Sequence, residues 1–480
     1  MQAGTTPAAI RNAFEIAERP AGERQVILRK SGVGIVPIFV RGERMRVHAA
    51  ATKYHAGNES IASGACAPHL YPVYGAGRAL RLADTRMPAI SKRSGRDERA
   101  ALFPAELLPQ FDDSFITSFE LFEEYVARLS LQAFGSTGLS QACRQDATAE
   151  QAIARAELAP EIARVPATWL LEMLAWAGWL DRSAGADGQT RYRTGSLPEL
   201  DPDEILARQR AHDPRCLPCY EIAALAAAHY PAVLRGTISG EQALFGPEGI
   251  IPWVKYFSND NPLYAVSNAV GAISAARNLP DGACAILEIG GGLGSGADTL
   301  LQQLERTNRA ADIDVYHLTD ISPLFLKRAR RELTARHPAC PFRFTVLDID
   351  RAFAGSEVVP GNYALAYGVN VLHVARDLAA TLHELRNALC EHGVLVMSEY
   401  IRPFPGKPLH LELVFNLLTA FREPVLHPDW RPNGGFLTPE QWTAALQANG
   451  FADVRIFPDI AAIRDAYPEF AIATIVARRA

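Results

Sequence analysis

The run Glu288-Ile289-Gly290-Gly291-Gly292-Leu293-Gly294-Ser295-Gly296 joins a strand-like segment (AILEIG) to a helical one starting near Ala297. Glycines at such a junction let the main chain turn sharply and approach a ligand with no Cβ in the way. The run lacks the Lys-Ser/Thr ending that a triphosphate-cradling loop needs. Asp320 ends the next strand-like segment, 30 residues after Gly290, where a carboxylate can accept hydrogen bonds from both ribose hydroxyls. Asp348 ends the third segment, placed either to reach an adenine edge or merely to cap a loop. One glycine loop followed by two strand-end acids points to an adenosyl ligand. His373 closes the fourth segment and Glu399 the fifth. An imidazole is the usual general base, and a carboxylate behind it fixes the tautomer and favours the imidazolium that forms. The residues alone leave a second reading open, in which His373 caps the helix after Ala375 and Glu399 is solvated.

The elements that must position these residues follow from the rhythm of the chain. AILEIG, VYHLTD, FRFTVLD, YALAYGV and GVLVMSEY read as strands, with TLLQQLERT, PLFLKRARRELTARH and LAATLHELRNALCEH as helices between them. Such alternation predicts a parallel sheet covered on both faces, with its sites at the carboxyl ends of the strands. VRIFPD and AIATIVARR add two strands, with an antiparallel edge. Upstream, Phe115, Phe119, Phe122, Val126 and Leu129 make one helical stripe. Two further helices (Glu150–Leu158, Ala167–Leu180) precede a Gly-rich turn and a short strand, a winged-helix-like pattern suited to packing against a second subunit or the catalytic domain.

The expected fold is thus α/β, a Rossmann-like sheet with helices on both faces, preceded by a mostly helical, winged-helix-like N-terminal domain. Four regions are expected: 1–110, basic and weakly ordered, with a hairpin between Arg24 and Val47; 111–200, dimerisation; 201–280, a helical lid; and 281–480, the catalytic domain.

Composition narrows the function. The 480 residues carry 48 Lys/Arg against 53 Asp/Glu, a net charge of −5. Residues 1–110 hold 16 basic and 9 acidic residues, so the remainder is clearly acidic. That balance argues against nucleic acid or an anionic membrane as partner. No run of about 18 apolar residues is present, and Met1–Ile10 lacks the pattern of a secretory signal; a cytoplasmic protein is expected. Cys216 and Cys219 form the one CxxC pair among seven cysteines. No second pair completes a zinc site, so no metal is expected.

The strings LEIGGGLGSG, YHLTDISPLFLKRAR, VLDID, GVNVLHVARDLAATLHELRNAL and GVLVMSEY resemble class I S-adenosyl-L-methionine-dependent methyltransferases. More narrowly, they are similar to the C-methyltransferase domains of polyketide synthases, as is the upstream segment YPAVLRGTISGEQALFGPEGIIPWVKYFSNDNPLY. The resemblance covers about 215–480. It implies that Gly290, Gly292 and Gly294 line the methionine moiety, Asp320 holds the ribose and Asp348 the adenine. Glu288, Ile321, Ile349 and Asn370 complete the cofactor set it implies. It further implies a His373–Glu399 dyad as catalytic base and a pocket tyrosine, Tyr256 or Tyr264. The sequence departs from the family in Leu293, where the loop normally has a polar residue. It also lacks the usual Asp opening the fourth strand, at Asn362-Tyr363-Ala364.

The expected activity is methylation of the α-carbon of a β-ketoacyl or 2-oxo substrate, free or carrier-bound, by a homodimer. Small-molecule O-methylation with the same His373 is the alternative, although Val374-Ala375 replace the Asp-Trp that often follows the histidine in those enzymes. A winged-helix DNA-binding sensor of an adenosyl ligand is the alternative of another class.

Overall fold

The computed structural model describes residues 96–480 together with four short strands upstream, Ala17–Glu18, Arg24–Leu28, Val36–Arg41 and Arg44–Met45. The second and third of these pair antiparallel, within the stretch expected to form a hairpin. The expectation of weak order over the Gly/Ser/Pro/Arg-rich stretch to residue 95 lies outside the described residues. From residue 96 the chain is already structured, upstream of the expected boundary at 111. Helix Arg96–Leu102 leads into buried Phe103, Leu107 and Phe111, whose four-residue spacing presents one apolar edge to Phe470.

The N-terminal half is helical. Its long elements are α1 (Asp113–Ser136), α2 (Pro160–Trp176), α3 (Leu217–Leu234) and α4 (Pro262–Asn278). Asp112 caps α1 by accepting from the Phe115 N–H at 2.8 Å. Proline in the first turn starts α2 and α4, where its missing N–H costs nothing. After α2 the strands Leu180–Ala184 and Thr190–Thr194 form an antiparallel hairpin. Shorter helices, including Ile250–Tyr256, connect α3 to α4.

The C-terminal half is a seven-stranded sheet. Its strands are β1 (Cys284–Ile289), β2 (Ile313–Asp320), β3 (Phe342–Val346), β4 (Tyr363–Val369), β5 (Leu389–Tyr400), β6 (Phe451–Phe457) and β7 (Ile472–Arg479). They lie in the order β3-β2-β1-β4-β5-β7-β6. β1 to β5 are mutually parallel, and β7 runs antiparallel to both neighbours. The antiparallel strand is therefore inside the sheet rather than at the expected edge. Ile472–Ala477 are buried on both faces, whereas half-exposed β6 tolerates the edge.

Alternation along the strands sorts the core. Ala285, Leu287 and Ile289 face α7 (Leu378–Ala388) and α8 (Pro439–Ala448). Cys284 and Ile286 face α4, α5 (Ser295–Arg306) and α6 (Pro323–Arg336). Helix α4, expected in the lid, is thus a sheet-covering helix: Ser398 donates to the Ser267 carbonyl at 2.7 Å, and Val270 and Ala275 are fully buried. α7 ends at Ala388, so the expected helix end Cys390–His392 belongs to the lengthened β5. The helical half shares one apolar core with the segment from Tyr400 to Phe436. Among the described residues no helix is long and apolar enough to cross a membrane.

Candidate active site

Between β1 and β4 the strand order reverses, and the carboxyl ends there form a crevice of the kind that receives ligands in open α/β sheets. The glycine loop enters it. Gly290, Gly292 and Gly294 take φ values of +59°, +54° and +85°, a region costly for other residues. A Cβ on Gly290 would lie 2.3 Å from Val371 Cγ2. On Gly292 it would meet nothing nearer than the Gly290 carbonyl at 3.9 Å. Gly290 is therefore a packing glycine, whereas Gly292 opens the backbone toward free space, a cradle that fits a ligand.

Asp320 ties this loop to β2. One carboxylate oxygen accepts from the Gly292 N–H at 3.0 Å, the other from the Ser322 N–H at 2.7 Å. Ile321, next in the chain, is half-buried. Asp348 lies on the turn after β3, accepting from the Asp350 N–H (3.1 Å) and pairing with Arg351 (3.2 Å). The Ile349 carbonyl accepts from Thr381 at 2.9 Å, anchoring that turn to α7. Asn370 joins β4 to β5, with its side-chain oxygen accepting from the Tyr400 N–H at 2.9 Å and its own backbone N–H donating to the Ser398 carbonyl at 2.7 Å. Glu288 is buried beneath the first turn of α5 and accepts from the Tyr316 hydroxyl at 2.8 Å. Burial pushes its carboxyl up to about 8.

His373 sits in the short turn Leu372–Val374 after β4. Its Nδ1 lies 2.6 Å from a carboxylate oxygen of Glu399, which is wholly buried. The other Glu399 oxygen accepts from the N–H groups of Val371 (3.1 Å) and Leu372 (2.8 Å). The carboxylate can only accept, so in the neutral ring the proton sits on Nδ1 and the lone pair on Nε2. Val371, which packs on Gly290, caps this same turn, so the turn is set against the glycine loop.

The two tyrosines, alike in sequence context, differ in position. Tyr264 hydrogen-bonds to Ser295 at the start of α5, near Glu288 and Asp320, and burial pushes its hydroxyl up to about 12. Tyr256 lies tilted 5.5 Å from Tyr264 and lines a small apolar cavity of about 10 Å³. Phe122, Trp253, Leu411, Val414 and Phe415 also line that cavity. Phe415 forms its wall toward His373, with ring centroids 6.2 Å apart. Cys216 and Cys219 are buried free thiols, and Cys219 lies against Asn261. Among the described residues no group of His, Cys, Asp or Glu is arranged to hold a metal ion.

Sequence reasoning passed over the segment 401–437, which covers His373. Phe436 lies 4.5 Å from the imidazole, Phe421 6.1 Å. Arg431, 1% exposed, donates to the carbonyls of His373 (3.1 Å) and Ala375 (2.7 Å). Nothing in HPDWRPNGG marks that arginine as inward-facing: the Pro, Asn and Gly residues read simply as loop.

Residues 287–395 match a family model described as a methyltransferase domain. The chain is 26% identical over 373 residues to highly reducing polyketide synthase 2 of Gibberella zeae, covering 76% of this chain and 14% of that one. It is 30% identical over 233 residues to polyketide synthase ThaG of Burkholderia thailandensis, covering 47% of this chain and 4% of that one. The chain thus spans a small fraction of the length of these relatives. In fold it resembles the CurJ carbon methyltransferase (TM-score 0.65, 22% identity, 80% of this chain and 98% of that one). It also resembles the CMeT domain of the citrinin polyketide synthase (TM-score 0.59, 18% identity, 78% and 98%). The matched residues are accordingly a methyl-transferring domain that uses S-adenosyl-L-methionine, in a chain that resembles the C-methyltransferase domains of polyketide synthases.

Proposed function

We propose that the protein methylates the carbon beside a carbonyl in a β-ketoacyl or related substrate, with His373 as general base. The observation that carries this reading is the buried His373–Glu399 pair, 2.6 Å apart, on a turn packed against the glycine loop. Bound S-adenosyl-L-methionine supplies an electrophilic methyl group on a sulfonium. Gly290, Gly292 and Gly294 line its amino-acid end, Asp320 its ribose and Asp348 its adenine, with Ile321, Ile349 and Asn370 bordering the site and Glu288 supporting the loop from below. Nε2 of His373 takes the α-proton of the acceptor, leaving an enolate whose carbon is the nucleophile. Glu399 holds the ring in the productive tautomer and balances the imidazolium that forms. Phe415, Phe421 and Phe436 shield the ring from water, and Tyr256 and Tyr264 help shape the acceptor side of the site.

In this reading the helices before α4 close over the cleft. The helices Ala149–Arg155 and α2 with the hairpin after them form a winged-helix-like unit. Trp176, 54% exposed, supports a role for that unit in a homodimer. The polyketide synthase relatives support an acyl group delivered on a carrier protein. Free, buried thiols suit a reducing cytoplasm. The test is His373→Ala. It is expected to retain cofactor binding and lose methyl transfer; normal turnover in that variant refutes the base.

A further inference from the structure

The turn that carries His373 is short, and a 3₁₀ turn leaves its last carbonyls without intrahelical donors. The carbonyl of His373 in the turn, and those of Ala375 and Arg376 just after it, converge on one guanidinium. Arg431 reaches the first with one terminal nitrogen (3.1 Å) and the other two with the second (2.7 and 3.4 Å). It does so from inside the protein, 1% exposed, with Nε unpartnered. Among the described residues it has no carboxylate within ion-pair distance. Burying a cation costs free energy, and here the cation is spent on three carbonyls of the turn and its exit. Burial draws its guanidinium down to about 10, against the opposing pull of the more distant Asp350 and Asp377.

The surrounding segment repeats the pattern. The Val425 N–H donates to the Arg376 carbonyl at 2.7 Å, and His427 and Arg431 close a small antiparallel bridge on themselves. Phe436, five residues on, lies against the imidazole. Glu399 orients the ring through Nδ1 and holds the start of the turn through the Val371 and Leu372 N–H groups, whereas Arg431 holds its end through the carbonyls.

We propose that Arg431 is a positioning residue for the base. It clamps the His373 turn so that the imidazole keeps both its short bond to Glu399 and its aim into the cleft. This inference rests on the reading of His373 as the base. It is the sort of placement in which a displacement of about 1 Å costs on the order of 10²-fold in rate.

The test compares Arg431→Met and Arg431→Lys with His373→Ala and the unmodified protein. Cofactor affinity, kcat and KM are measured, together with the downfield proton resonance of the short Nδ1–H···Glu399 bond, assigned by its absence in His373→Ala. Arg431→Met is expected to bind S-adenosyl-L-methionine normally, keep KM within about threefold and lose about 10²-fold in kcat. Its downfield resonance is expected to shift or broaden. Arg431→Lys, whose ammonium can donate to the same carbonyls, is expected to recover about tenfold of that loss. Wild-type kcat and an unmoved resonance in Arg431→Met overturn the proposal, as does an equal rise in KM. Loss of cofactor binding and native spectrum in both arginine variants makes Arg431 a fold residue and overturns it too. Turnover persisting in His373→Ala instead overturns the base itself, so the two failures are told apart.

Discussion

Replacing Glu399 with glutamine separates the chemistry of the dyad from its architecture. Glu399 serves three donors: Val371 N–H and Leu372 N–H on one oxygen, His373 Nδ1–H on the other. A glutamine has one oxygen to offer. If that oxygen faces Nδ1, two buried N–H groups lose their acceptor, at about 1–3 kcal/mol each. If it faces the two N–H groups, its NH₂ meets Nδ1, and the ring must move its proton to Nε2. The second arrangement satisfies both backbone N–H groups, leaves only one amide N–H of the glutamine without an acceptor, and is preferred. It also removes the lone pair from the cleft. Glu399→Gln is therefore expected to melt close to the unmodified protein, bind cofactor equally well, and lose about 10²–10⁴-fold in kcat. Glu399→Ala orphans both N–H groups and is expected to lose about 2–6 kcal/mol of stability as well. The assay is single-turnover methyl transfer at saturating cofactor, beside calorimetric melting and cofactor titration. A Glu399→Gln variant within threefold of wild-type kcat would refute the tautomer argument.

The glycine loop offers a contrast between packing and access. Gly290→Ala drives a methyl into Val371 and is expected to lower both melting temperature and cofactor affinity, the latter by more than about tenfold. Gly292→Ala meets no protein atom closer than 3.9 Å, so its stability loss is only the roughly 1 kcal/mol of its backbone conformation, yet its cofactor affinity falls comparably. Equal affinity in Gly292→Ala and the parent, by titration, would remove Gly292 from the cofactor site. A second site of titration lies behind the cavity, where Glu123 meets His410, Lys407 and Glu469. Burial raises Glu123 from 4.5 to about 7, so the folded state holds its proton more tightly. The stability this confers is fully present below about pH 4.5 and is lost as pH rises through about 7. Glu123→Gln is expected to flatten the fall of melting temperature between pH 5 and 7; an unchanged slope contradicts it.

The cofactor crevice was legible because its chemistry is local. A strand, a glycine turn and a helix occur in succession, and Asp320 stands at the next strand end, so chain order alone brings it to Gly292. His373 and Glu399 were legible as strand-end residues, since β4 and β5 are neighbours in the sheet. Which tyrosine meets the loop was not legible: Tyr256 and Tyr264 lie on consecutive helices, and only packing brings one to the cavity and the other to Ser295. The segment 401–437 was opaque for the same reason. Phe415, Phe421 and Phe436 have no common period, and their convergence on His373 depends on contacts with chain elements far away in sequence. The interior place of β7 did have a signal. IATIVA is apolar without alternation, the mark of a strand covered on both faces, while β6 interposes Asp453 and Arg455.

The bond on which the account turns is the one formed to the transferred methyl. A β-ketoacyl thioester incubated with cofactor carrying a ¹³C-labelled methyl gives a product whose label can be placed by NMR. A methyl coupled to the α-carbon of the acyl chain is expected, formed by the unmodified protein and absent with His373→Ala. A methyl resonance on oxygen, or the carbon-bound product at undiminished rate without the imidazole, would contradict it.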